Sequence, residues 1–253
     1  MGRRNRIDKK RPVLEESGLV LVNKPKTWTS FDVVNFIRTK FNIRKVGHCG
    51  TLDPMATGLL IIVFGKFTKL SQRLSGEDKA YIADLQLGIT TESYDLEGDI
   101  IKEIDTSHIT QDDIINILPK FTGDIRQIPP MHSALKKDGK KLCDLARQGI
   151  ELELEARPIT IYKNDIVKID IPNITLDIKC SKGTYIRSLA HDIGNELGVG
   201  ATLTDLHRTQ SGKFDISLAN EVDEIRNWQP EDLLKCSEEL ILKFQPQIDI
   251  NKE

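Results

Sequence analysis

The stretch "VGHCGTLDPMATGLLIIVFG", residues 46–65, crowds small and turn-forming residues around one carboxylate, Asp53, and then runs without a polar interruption from Leu59 to Phe64. Six apolar residues are too few for a free-standing helix, so "LLIIVF" reads as a strand buried on both faces. Just ahead of it, Pro54 pushes Asp53 out of the helical region into an extended or turn conformation. Gly47, Gly50 and Gly58 supply positive φ or let main chain pass close to something else. A carboxylate held on such a turn has few rotamers and little backbone freedom, as a nucleophile needs. The alternative is an ordinary turn cap, a frequent fate of Asp before Pro.

Outward from this stretch, helices and strands alternate without a regular βαβ period or an internal repeat. "GLVLVNKP" (18–25) predicts a short apolar strand stopped by a turn. "SFDVVNFIRTK" (30–40) predicts a helix with Ser30 as N-cap and Phe31, Val34 and Ile37 on one face. "YIADLQLG" (81–88) places Tyr81, Ala83, Leu85 and Leu87 on one side of a strand. "TQDD" (110–113) is a capping box for a helix that Pro119 limits. "KKLCDLARQG" (140–149) reads as a helix stopped by Gly149. "ITLDIKC" (174–180) is a strand with Ile174, Leu176, Ile178 and Cys180 inward, and the helix after it carries the stripe Ile186, Leu189, Ala190, Ile193 and Leu197 before Gly198. These patterns predict one mixed α/β body.

Composition narrows the class. With 39% hydrophobic and 29% charged residues in 253, the chain reads as a globular protein with a real core. The net charge of -2 names no partner, because local patches outweigh the sum. The charge is uneven: Arg3, Arg4, Arg6, Lys9, Lys10 and Arg11 stand against the single acid Asp8 in "MGRRNRIDKKRP", while the C-terminal stretch leans acidic. A basic start of this kind serves either as a solubilising tail or as a grip on nucleic acid. It lacks the apolar run of a secretory signal, and no segment has the length of a transmembrane helix. Cys49, Cys143, Cys180 and Cys236 are widely spaced, which argues against a zinc knuckle or disulfide framework and suits a reducing cytoplasm.

Two further segments carry candidates for chemistry. In "CSKGTYIRSLAHDIG", Arg187 sits at the start of a helix with Tyr185 two residues before it. A cation there can pair with Asp53 and hold it ionised, or it can simply face solvent. In "DKAYIADLQLGITTESYDLEGDI", Tyr81 is either a core aromatic with its hydroxyl at the rim or part of a site, and Asp95 is either a turn acid or a functional one.

Taken together these segments resemble the TruB-type pseudouridine synthases, the bacterial tRNA pseudouridine-55 synthases. The resemblance rests on "VNKPKTWTSFDVVN", "KVGHCGTLDPMATGLLIIVFGKFTKL", "DKAYIADLQLGITTESYDLEGDI", "FTGDIRQIPPMHSALKKDGKKLCDLARQG", "ARPITIY", "CSKGTYIRSLAHDIG" and "GATLTDLHRTQSG", in family order across about residues 18 to 220. It implies an α+β pseudouridine synthase fold, with a central mixed, mostly antiparallel sheet flanked by helices and a basic RNA-gripping insertion. It also implies an isomerase acting on the T-loop uridine of tRNA. Asp53 matches the nucleophile, Arg187 its ion partner, Tyr81 the tyrosine that stacks on the extruded uracil and takes part in proton movement, and Asp95 the acid completing that network. His48, Tyr185 and Leu206 match residues around the base. The insertion, about 127–157, presents Lys136, Lys137, Lys140, Lys141, Arg147 and Arg157 to RNA phosphates. Moving uracil's attachment from N1 to C5 needs no redox change, water or phosphate activation, so the reading implies neither cofactor nor metal.

The chain departs from the family pattern at Cys49, at His132 and at "LHRT", where His207 replaces an arginine and leaves Arg208 to meet a phosphate. The expected organisation is a basic tail over 1–17, a catalytic domain over 18–219, and a short helical tail over 220–253 without the PUA-type domain of many relatives. The expected partner is the tRNA T arm, with no membrane or protein partner, a monomer as the family default, and a cytoplasmic location. The competing readings are a tRNA-binding and folding module with secondary or lost catalysis, and an N-glycoside hydrolase using the same carboxylate.

Overall fold

The computed structural model describes residues 8, 11–133, 135–137, 139–150 and 152–248, with the side chains of residues 136, 141 and 246–248 left aside. Of the basic N-terminal residues, Arg3, Arg4, Arg6, Lys9 and Lys10 lie outside this set. The elements in chain order are β1 (Gly18–Lys24), α1 (Ser30–Lys40), β2 (Val46–Cys49), β3 (Thr57–Phe64), α2 (Ser71–Ser75), β4 (Lys79–Leu87), β5 (Ile89–Thr91), β6 (Ile100–Glu103), α3 (Gln111–Ile117) and β7 (Gly123–Gln127). They continue with β8 (Lys136–Lys137), β9 (Lys140–Lys141), α4 (Leu142–Ala146), β10 (Arg157–Asp170), β11 (Asn173–Cys180), α5 (Ile186–Glu196), β12 (Ala201–Ser211), β13 (Phe214–Asp215), β14 (Asn220–Glu221), α6 (Val222–Ile225) and α7 (Pro230–Ile248). Most strand pairs are antiparallel; β1 with β14 and β12 with β3 run parallel.

The chain divides into two compact units, Met1–Glu77 with His207–Glu253, and Asp78–Leu206. In the first, β3 is the central strand. It pairs along its length with β1, from Gly18↔Phe64 to Lys24↔Gly58, and its other edge is shared by β2 and by His207 and Arg208 of β12. Leu60, Ile62 and Phe64 pack on one face with Val33, Val34 and Ile37 of α1, Val222 and Ile225 of α6, and Leu233 of α7. Leu59, Ile61 and Val63 pack on the other with Phe67, Leu70, Leu74, Phe214 and Leu240. Both faces are covered, which is why Leu59 to Phe64 has no polar position. The helical C-terminal segment belongs to this packing: Leu233 and Leu240 are buried, and the Ser237 hydroxyl accepts from the Leu19 amide at 3.0 Å.

Helix α1 starts where expected, but its cap is Thr29, whose hydroxyl accepts from the Asp32 amide while the Asp32 carboxylate accepts from the Thr29 amide. Ser30 is buried and used elsewhere. The inward stripe is Ser30, Val33, Val34 and Ile37, and Phe31 is 58% exposed under the Arg38 guanidinium. The predicted stripe was therefore rotated by about one position at its first member.

In the second unit β4, β11, β10 and β7 are joined antiparallel in that order. Tyr81, Ala83, Leu85 and Leu87 of β4 and Ile174, Leu176, Ile178 and Cys180 of β11 are buried, as the alternation predicts. Helix α5 buries Ile186, Leu189, Ala190 and Ile193. The segment predicted as a helix over 140–149 is shorter: Lys140 and Lys141 pair with Lys137 and Lys136 in a hairpin, and the helix proper is α4.

Candidate active site

Two polar centres emerge, one in each unit. In the first, Asp53 lies partly exposed on the loop between β2 and β3. Several side chains hold that loop by its main chain. The Ser30 hydroxyl donates to the Leu52 carbonyl at 3.0 Å and accepts from the Leu52 amide at 2.8 Å. Lys24 is fully buried, and its ammonium donates to the carbonyls of Pro25 and Trp28 and, at 3.3 Å, to that of Pro54. The Thr27 amide also donates to Pro54 at 2.8 Å. The Ala56 amide closes back onto the Asp53 carbonyl at 3.1 Å.

At the far end of the loop, Gly58 has φ +99, and a Cβ there would stand 2.4 Å from the Arg208 carbonyl oxygen. Only glycine permits this approach of two main chains. Thr57 Oγ1 lies 2.9 Å from His207 Nδ1, so the half-buried histidine that departs from the family pattern meets the first residue of β3.

His48 flanks the loop on β2. Burial pushes its imidazole pKa down, the nearby Arg208 charge adds to the effect, and a hydrogen bond with the Gly50 backbone partly offsets both. A neutral imidazole can donate from one nitrogen and accept at the other, which a charged ring cannot.

In the second unit Arg187 is buried, at 5% exposure, and is not a surface cation. Its guanidinium donates to the Ser93 carbonyl at 3.0 Å and the His132 carbonyl at 2.8 Å, and lies 3.4 Å from the Asp95 carboxylate. Asp95 also accepts from the Ser93 hydroxyl at 2.5 Å and the Glu97 amide at 3.0 Å. Arg187 and Asp95 thus form a buried ion pair whose members are each hydrogen-bonded to neighbours. Tyr81 and Leu206 are buried at 8% and 6%, and Tyr185 is half-buried at the N-cap of α5.

Gln127, not anticipated from sequence, holds Tyr185 by both ends of its carboxamide: it accepts from the Tyr185 amide at 2.8 Å and donates to the Tyr185 carbonyl at 3.0 Å. A buried glutamine closing a strand was the available signal. Lys137, Lys140 and Arg147 are exposed on the insertion, and Lys136 faces Lys141 in the hairpin register; the Lys136 side chain lies outside the described set. Lys137 and Lys140, both exposed, are like charges set opposite one another in that hairpin.

Arg208, expected to meet a phosphate, is 1% exposed. Its guanidinium donates to the main-chain carbonyls of Leu59 and Gly50, so its position does not fit that role.

One group on α5 gives a pH signature. Burial raises the Asp192 carboxyl to about 6. A raised folded-state value means that the contribution to stability is fully present below the unfolded value near 3.8 and is lost as pH rises through about 6. Asp192→Asn should therefore stabilise the protein at pH 7.5, by about 1 kcal/mol after allowing for partial solvent screening, and change little at pH 3.5. Chemical denaturation at the two pH values checks the sign.

The fold is that of the pseudouridine synthases. Among solved structures, the chain matches a Cbf5–Nop10–Gar1 complex with TM-score 0.66 at 30% identity, covering 87% of this chain and 57% of that one. It matches the H/ACA RNP bound to a substrate RNA containing 2'-deoxyuridine with TM-score 0.62 at 27% identity, over 83% and 53%. The chain thus spans little more than half of those longer proteins.

The model of the TruB family pseudouridylate synthase N-terminal domain matches residues 38–186, and that of the tRNA pseudouridylate synthase B C-terminal domain matches 187–240. The tRNA pseudouridine synthase B of Clostridium tetani is 45% identical over 229 residues, 90% of this chain and 79% of the relative. That of Clostridium perfringens is 49% identical over 210 residues, 83% and 71%. The chain belongs to the TruB family of pseudouridylate synthases, and is an isomerase.

Proposed function

We propose that the protein converts the T-loop uridine of tRNA, position 55, to pseudouridine, with Asp53 as nucleophile. The observation that carries this reading is the Asp53 loop, held by its main chain at Leu52, Pro54 and Ala56 while Asp53 stays partly exposed. Such a carboxylate is positioned for attack before any substrate arrives.

In the proposed reaction the uridine leaves its stack and Tyr81 covers its face. Asp53 attacks C1′ as the N1–C1′ bond breaks; the base turns, C5 bonds to C1′ as the Asp53–C1′ bond breaks and frees the carboxylate, the C5 proton passes to solvent, and N1 takes up a proton. Arg187, fixed by Asp95 and the Ser93 and His132 carbonyls, supplies the positive charge that keeps the nucleophile ionised. Tyr81 takes part in the proton movement at C5. His48, Tyr185 and Leu206 line the base, while Lys136, Lys137, Lys140 and Arg147 take T-arm phosphates. The family relatives support tRNA as the substrate class by their names.

The test is mapping of pseudouridine in tRNA transcripts after incubation with the protein. A single new pseudouridine at position 55 is expected, and none in a transcript with cytidine there. Modification at another site, with position 55 unchanged, contradicts the assignment.

A further inference from the structure

We infer that Arg208 is a positioning residue for the isomerisation, a clamp that closes both ends of the loop presenting Asp53. The inference rests on Asp53 being the nucleophile, and the experiment below separates the two. Arg208 Nε donates to the Leu59 carbonyl at 2.7 Å and Nη2 to the Gly50 carbonyl at 3.2 Å. These carbonyls bracket the loop: Gly50 follows β2, Leu59 sits inside β3, and Asp53 lies between them. One planar guanidinium therefore fixes the distance between the loop's two ends.

The arrangement is a built one. Arg208 is among the largest fully buried side chains of the protein, at 1% exposure. Its own main chain is locked at the same place, because Arg208 pairs with Gly58 across the parallel β12–β3 contact and Gly58 has no Cβ to keep the strands apart. Gly50 sits at φ +91, so the carbonyl that meets Nη2 is aimed by a backbone shape that favours glycine.

A lysine has one ammonium and no fork. It can satisfy one of two carbonyls in fixed directions but does not hold the spacing between them. Burial of a full positive charge with main-chain carbonyls as partners is costly unless the geometry is well satisfied, and these charge-assisted bonds meet that need. Displacing a reacting group by about 1 Å costs on the order of 10²-fold in rate, so loosening the clamp should appear in the chemical step.

The test uses the full chain and a tRNA transcript, with the single-turnover rate at saturating enzyme, the tRNA Kd and its salt dependence measured for Arg208→Lys. The rate should fall about 10²-fold, while Kd stays within about twofold and the slope of log Kd against log salt is unchanged. Leu233→Ala, a core change outside the loop, controls for lost stability and should keep its rate at a temperature where both variants are folded.

An unchanged rate in folded Arg208→Lys overturns the inference. So does a weaker Kd with a slope reduced by about 0.7–0.9 and an intact rate, which would make Arg208 a phosphate contact. Asp53→Asn is measured alongside: if it turns over normally, the nucleophile reading fails and not the clamp. Should Arg208→Lys not fold, hydrogen exchange on the wild-type protein decides. The Leu52 and Ala56 amides should be protected without RNA to a level near that of β3, and exchange as fast as in an open chain would overturn a preformed loop.

Discussion

Asp53→Asn should abolish turnover, with a rate at least about 10⁴-fold below wild type, while tRNA affinity changes by no more than about twofold. The carboxamide is nearly the same size and hydrogen-bonds in its place. The loop that carries it is held through the main chain at Leu52, Pro54 and Ala56, so its shape should survive. What is removed is the negative charge and the lone pair that attack. Single-turnover kinetics and filter binding on the same preparation separate the two effects. A parallel loss of binding and rate would point to a role in holding RNA.

Arg187→Lys should be nearly as damaging, with the rate lowered about 10²–10³-fold and stability lowered by about 2–4 kcal/mol. The guanidinium meets three partners in fixed directions: the carbonyls of Ser93 and His132 and the Asp95 carboxylate. A compact ammonium cannot reach all three, and each one missed is left buried and poorly paired. Asp95 keeps its bonds from the Ser93 hydroxyl and Glu97 amide, so the substitution should weaken this centre without dissolving it. Thermal unfolding read with the single-turnover rate checks both numbers. An active Arg187→Lys would mean that charge alone suffices.

Much of this arrangement is legible in the amino-acid sequence, for reasons that can be stated. The unbroken run from Leu59 to Phe64 demands cover on both faces, and α1 with α6 on one side, α2 on the other and α7 reaching both provide it. The alternation in "YIADLQLG" and "ITLDIKC" orients Tyr81 and the β11 core without ambiguity.

What the sequence hides is polar side chains spent on distant main chain. Ser30 reads as an N-cap because serine before a helix usually is one, yet its hydroxyl serves Leu52, 22 residues away, and Thr29 does the capping. Arg208 reads as a phosphate ligand because arginine near an RNA site usually is one, yet it serves carbonyls 149 and 158 residues away. Gln127 looks like a strand residue and clamps Tyr185 across 58 positions. Hydrophobic periodicity reports which face is inward, but it carries no information on which carbonyl a buried donor will find.

The central claim is tested most directly by incubating the protein with tRNA tritiated at uracil C5. Formation of the C5–C1′ bond must release the C5 hydrogen, so one equivalent of tritium per tRNA should appear in water from wild type, none from Asp53→Asn, and none when position 55 alone is cytidine. Tritium retained by the wild-type reaction, with the tRNA still bound, would contradict the account.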